Sequence, residues 1–212
     1  MHNSPMRSRG PRAVGEAALA AAMVLAVLGD PAAAQTPTAP AAASPAGDYV
    51  LDRDNSSLRI SLGFAGGLGM AVVRFTRLEG GFVYPPGASA PSQVRMNVDT
   101  TSATGMSWTR RAAMNALDTA RFPQATFVSD NVERVGDDAW TMAGRLTLRG
   151  VTRPLTLQVT RATPVGQPGS EGERRVRVIG RGRISRSDYG VPAPTLASDQ
   201  LDLRFDAEFA RR

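Results

Sequence analysis

The chain reads as an all-β domain of eight to ten antiparallel strands, and three observations carry that reading. Apolar and polar residues alternate with period two along much of the sequence after residue 47. Clusters of Gly, Pro and Asp separate the alternating runs, as turns between strands require. Cysteine is absent, so apolar packing alone has to hold the fold, which a chain of 212 residues is long enough to build.

The last run is the clearest. Leu201, Leu203, Phe205, Ala207 and Phe209 alternate with Asp202, Arg204, Asp206 and Glu208, which puts the apolar side chains on one face and the charges on the other. Leu58, Ile60, Leu62 and Phe64 follow the same rule, as do Val94, Met96 and Val98, and Trp140, Met142, Gly144, Leu146 and Leu148. Further strands are expected over 49–52, 71–77, 81–84, 125–135, 155–163 and 174–186, with turns at 85–87, 136–138 and 167–169. Sequential antiparallel strands with one apolar face make a sandwich or a closed barrel, and closure removes exposed edges. Residues 102–117 break the alternation, and 108–117 (WTRRAAMNAL) are mostly helix formers, ended by Asp118 and Pro123. A helical excursion of this kind is placed to cover a barrel mouth.

Ahead of the strands, Arg7, Arg9 and Arg12 precede twelve apolar residues (17–28) and then Ala32, Ala33 and Ala34, the pattern of a secretory signal peptide over 1–34 cleaved after Ala34. Twelve residues fall short of the roughly 20 of a membrane-spanning helix. The Pro/Ala-rich stretch 35–46 reads as an extended linker, and 47–212 as the domain. Export to the periplasm is the expected destination.

All 25 basic residues are arginine and the one histidine is His2, so the domain has no lysine, histidine or cysteine. Schiff-base chemistry, histidine-dependent nucleophiles and imidazole or thiolate metal sites are thereby excluded, and neither a catalytic residue, a metal nor a cofactor is expected. After processing, 22 arginines face 17 acids, a modest excess without a dense basic run, so nucleic acid is not an expected partner. A transient contact with a membrane surface stays open, as does the oligomeric state.

Phe64, Phe75, Met96, Phe127, Trp140 and Met142 are the candidates for lining a ligand lumen, against the alternative that this face is packed core. Arg110, Arg111 and Arg186 are the candidates for holding an anionic head group. The glycine-rich 63–69 stretch lies between strands without a following helix and reads as a turn. Asp137 and Asp138 read as turn residues rather than a catalytic pair.

Several segments resemble the YceI-like family over residues 49–209. Residues 118–129 (DTARFPQATFVS) resemble its D-x-x-[KR]-[FY]-P-x-[AI]-x-F-x-S run, and 144–155 (GRLTLRGVTRPL) its G-x-L-T-[IL]-x-G-V-T-[KR]-P-[VL] run. Residues 74–80 (RFTRLEG) and 186–191 (RSDYGV) resemble two shorter motifs, and 49–52 with Ser57 its opening strand. The resemblance implies an eight-stranded, lipocalin-like antiparallel barrel that binds a polyisoprenoid, fatty-acyl or other long apolar chain in its lumen, and no enzyme. Histidines that family members often carry near Asn55, Phe64 and Arg110 are absent here, and 192–199 departs from the family loop. Two other readings stand beside this one: an interaction protein with a solid barrel acting through its rim, and a hydrolase using carboxylates alone.

Overall fold

The computed structural model describes residues 46–67, 69–162, 175–192 and 194–212. The expected leader, its cleavage point, the linker up to residue 45 and the 167–169 turn lie outside the described residues.

Among the described residues ten strands form one antiparallel sheet: β1 (Gly47–Phe64), β2 (Met70–Phe75), β3 (Leu78–Tyr84), β4 (Ser92–Asp99), β5 (Ala103–Thr104), β6 (Gln124–Gly136), β7 (Ala139–Leu148), β8 (Val151–Ala162), β9 (Arg175–Ser185) and β10 (Ala197–Arg211). Eight of them, β1, β3, β4, β6, β7, β8, β9 and β10, pair in that order, and β10 returns to β1. The sheet is therefore a closed eight-stranded barrel with no free edge around that ring.

β2 and β3 together occupy one position beside β1. β2 pairs with the second half of β1 (Phe75 opposite Leu58) and β3 with the first (Gly81 opposite Val50). The break between them faces a bulge in β1 between Asp52 and Ser57, where polar residues replace the alternation. The Ser56 hydroxyl donates to the Asp52 carbonyl at 2.6 Å and accepts the Glu208 N–H at 3.0 Å. Arg175 Nη1 donates to both the Asp52 and the Glu208 carboxylates at 2.6 Å, tying β1, β9 and β10 together across the bulge. Here the structure corrects the sequence reading: 49–52 and 58–64 are one long bulged strand, not two. The two-residue β5 also carries no alternation by which it could be recognised.

One face of every strand is apolar, and register aligns those faces. Val159, Gly180, Phe205, Leu58 and Phe75 are successive cross-strand partners, and so are Gly182, Leu203, Ile60 and Val73. Phe75, Leu203 and Phe205 are all buried. Gly180 is required by this packing, since a Cβ there would fall within the Phe205 ring.

At one end of the barrel β4 leaves β6 after Asp99, and the chain passes through β5 into helix α1 (Ser107–Leu117). Thr109 and Leu117 bury one face of α1, and Ala113 and Ala116 pack against the core. Asp118 ends the helix in the left-handed region at φ 50°, its N–H donating to the Asn115 carbonyl. The β6–β7 hairpin, with Asp137 and Asp138 in its turn, marks the opposite end.

Candidate functional site

Apolar cavities lie at both ends of the barrel interior, and the two share no lining residue among those described. The helix-end cavity has a volume of about 160 Å3. β1 and β2 supply Ile60, Leu62, Phe64, Ala71, Val73 and Phe75, α1 supplies Trp108, Ala112, Ala113, Ala116 and Leu117, and the segment before β10 supplies Val191, Pro192 and Pro194. Small side chains on α1 create the space, because alanines at positions 112, 113 and 116 bring the helix over the barrel mouth without filling it. Arg186 is the one charged residue in this lining among the described residues. Its Nε and Nη1 donate to the Ser198 and Val191 carbonyls, both at 3.1 Å, and Asp199 stands 3.9 Å away.

The hairpin-end cavity is smaller, about 50 Å3, and is walled by bulky groups including Phe82, Tyr84, Met96, Trp140, Met142, Phe205 and Phe209. Arg161 is its one charged residue among those described. The guanidinium lies 5.5 Å from the centre of the Trp140 ring and Nε is 3.4 Å from Asp138, with the side chain 12% exposed. Trp140 Nε1 donates to the Ser89 carbonyl at 3.3 Å, which fixes the indole at the rim. The Asp138 carboxylate thus belongs to an ion pair at the barrel end, and Asp137 lies beside Arg134 in the same turn.

Between the cavities the interior is packed. Phe127, Leu157 and Leu203 are buried and line neither one, and on β10 Leu203 lies between Leu201 of the helix-end cavity and Phe205 of the hairpin-end cavity. A Cβ on Gly144 would stand 2.7 Å from the Phe127 ring, and one on Gly182 2.6 Å from Leu157, so these side chains fill the space the glycines leave. Among the described residues no aspartate or glutamate lines either cavity.

The structure distributes the sequence candidates as follows. Met96, Trp140 and Met142 face the hairpin-end cavity, Phe64 and Phe75 the helix-end cavity, and Phe127 the packed partition. Of the three arginines, Arg186 lines the helix-end cavity, Arg111 lines a shallow depression on the outside of α1 with Trp108 and Asn115, and Arg110 is exposed on the same helix. Arg161 and the alanine floor were not anticipated. Arg161 sits at the end of an alternating run, where only cross-strand register shows it turning over Trp140, and alanine gives no sequence signal for space. Near the helix end Tyr189 is also buried; burial, then Asp188, push its hydroxyl pKa up, and the oxygen has no hydrogen-bond partner among the described residues.

Comparison with known proteins agrees with this architecture. The model of the YceI-like domain matches residues 49–209. A UPF0312 protein of Shewanella sp. (strain MR-4) is 35% identical over 173 residues, covering 78% of this chain and 88% of that protein. Among solved structures, Burkholderia cenocepacia BcnA superposes with a TM-score of 0.61 at 21% identity, covering 74% of this chain and 98% of BcnA. A domain from Saccharophagus degradans described as polyisoprenoid-binding superposes with a TM-score of 0.58 at 20% identity, covering 77% of this chain and 98% of that one. A matched domain spanning the whole barrel, together with a relative at this level of identity, shows that the chain belongs to the YceI-like family.

Proposed function

We propose that the protein is an exported, non-enzymatic lipid-binding protein that takes a polyisoprenoid or other long apolar chain into the barrel lumen through the helix end. The observation that carries this reading is the pair of apolar cavities, each lined, among the described residues, by a single arginine and no carboxylate. Apolar walls supply affinity by area: a buried methylene contributes roughly 0.8 kcal/mol, so ten such groups give about 8 kcal/mol before the cost of ordering. An arginine at a mouth suits a phosphate or pyrophosphate head group through charge-assisted hydrogen bonds. The leader pattern over 1–34 supports export to the periplasm.

The cavity volumes add a requirement. A cavity of about 160 Å3 is close to the roughly 150 Å3 that holds one benzene-sized molecule. A long chain therefore has to displace the partition of Phe127, Leu157 and Leu203. Met96 and Met142, unbranched and adaptable, border the space into which these groups would yield. The packed partition also favours a second reading, in which the barrel stays solid and acts through its rim.

Native mass spectrometry of the purified protein, followed by lipid extraction, separates the two. The first reading predicts a bound mass that extracts as an apolar chain, and uptake of a polyprenyl probe by delipidated protein. Folded protein that retains no lipid and takes up no probe would overturn it in favour of the rim.

A further inference from the structure

We propose that the helix-end rim docks on an anionic lipid bilayer. Five large apolar side chains stand out as exposed among the described residues, and four of them gather at this end: Met70 (62%), Met106 (62%), Trp108 (57%) and Leu196 (57%). Val135, the fifth, lies at the hairpin end. The four are close by construction of the fold. Met70 begins the strand paired to the end of β1 opposite Gly63, the Ala65 N–H donates to the Leu196 carbonyl at 2.8 Å, and Met106 and Trp108 open the helix that packs over β2. Trp108 lines both the helix-end cavity and the outer depression on α1, so the exposed ring is continuous with the lumen mouth.

Charge selects the occupant. α1 carries Arg110 and Arg111 and no acid, and among the described residues neither arginine is in an ion pair, while of the acids at this end Asp118 and Asp199 face Arg121 and Arg186 and Asp188 stands exposed in the turn before β10. Unneutralised cations beside exposed Trp and Met match the interface of a bilayer, where indole sits at head-group depth and arginine meets phosphate. A neutral apolar protein partner would leave both guanidinium groups unpaired. The proposal rests on the lumenal reading only for its purpose, the transfer of a chain between bilayer and lumen; the contact itself stands on the rim.

The test uses vesicles of phosphatidylglycerol and phosphatidylethanolamine carrying brominated acyl chains, with tryptophan fluorescence as the readout. Trp108 is exposed and Trp140 is 6% exposed at the other end, so the two tryptophans report which end touches lipid. The expected result is quenching that Trp108→Phe removes and Trp140→Phe preserves. Met106→Ser with Leu196→Ser should weaken vesicle binding, measured by co-sedimentation, and Arg110→Gln and Arg111→Gln should each weaken it about fivefold in low salt. All variants keep the same residues 1–45, so any contribution of the apolar 17–28 run is common to them. Vesicle binding unchanged by the rim variants, or no quenching of Trp108, overturns the proposal. Uptake of a soluble polyprenyl probe is measured in parallel: docking without uptake contradicts the lumenal reading alone, and uptake without docking contradicts the rim alone.

Discussion

The two ends of the barrel share one design rule and reach different results. Both have apolar inner faces set by period-two alternation and an arginine in the lining, yet one cavity is about three times the volume of the other. At the hairpin end strand residues line the cavity together with Pro91 of the β3–β4 loop, and Phe82, Tyr84, Phe205 and Phe209 fill the interior that they enclose. At the helix end β4 departs from the ladder and α1 closes the mouth with alanines, which leaves room. The period of the sequence decides which way side chains point; side-chain size and the kind of element at the closure decide whether anything else fits.

The largest effect expected from this contrast is at Phe205. Phe205→Ala removes a ring packed against Gly180 and should cost about 3 to 5 kcal/mol in denaturant melts, while the outward-facing Arg204→Ala should cost under about 1 kcal/mol. Similar losses from both would break the two-faced description of β10.

The next is at the partition. Leu203→Ala should destabilise the unliganded protein by about 2 to 5 kcal/mol and join the two cavities. If the partition limits chain entry, the same variant should bind a long polyprenyl probe more tightly relative to a short one than wild type does, measured by fluorescence titration across chain lengths. An unchanged ratio would remove the partition from the account.

A smaller effect should appear with acid. The hydrogen bond from Arg175 holds the Asp52 carboxyl below the usual carboxylate range against the opposing pull of desolvation, and Arg177 does the same for Asp206 through two contacts at 2.8 Å. Because folding lowers both pKa values, their stabilisation is fully present above the unfolded value near 4 and is lost as pH falls through the lower folded values. Denaturation midpoints should drop below about pH 4, and less so in Asp52→Asn. A midpoint level from pH 7 to pH 2 would contradict the role of these pairs.

The smallest change is expected at Tyr189, whose buried hydroxyl has no partner among the described residues. Tyr189→Phe should leave the thermal midpoint equal or raise it, with at most about 1 kcal/mol of gain. A clear loss of stability would mean that the hydroxyl is bonded.

Much of the barrel was legible because alternation and register agree. In β10, Leu201, Leu203, Phe205, Ala207 and Phe209 are all buried, as their spacing requires. The bulge in β1 was not legible: a run of polar residues from Asp52 to Ser57 looks like a turn, and only the contacts of Ser56, Glu208 and Arg175 from distant strands keep it within one strand. Five of the six aromatic and methionine candidates fall on cavity walls, since large apolar residues at alternating positions face inward. The space itself was hidden, because Ala112, Ala113 and Ala116 read as helix formers and nothing local shows what they stand over.

Paired fillings of the two cavities test whether a chain enters at the helix end and lies in the lumen. Ala113→Trp occupies the helix-end cavity and Met142→Trp the hairpin-end cavity. Uptake of a fluorescent polyprenyl probe by delipidated protein is then compared with wild type, alongside melts. The account predicts that Ala113→Trp abolishes uptake while the fold is kept, and that Met142→Trp, forced into a tighter space, loses roughly 1 to 3 kcal/mol of stability and retains uptake of short probes. Undiminished uptake of every probe by folded Ala113→Trp would contradict entry through the helix end and a chain held in the lumen.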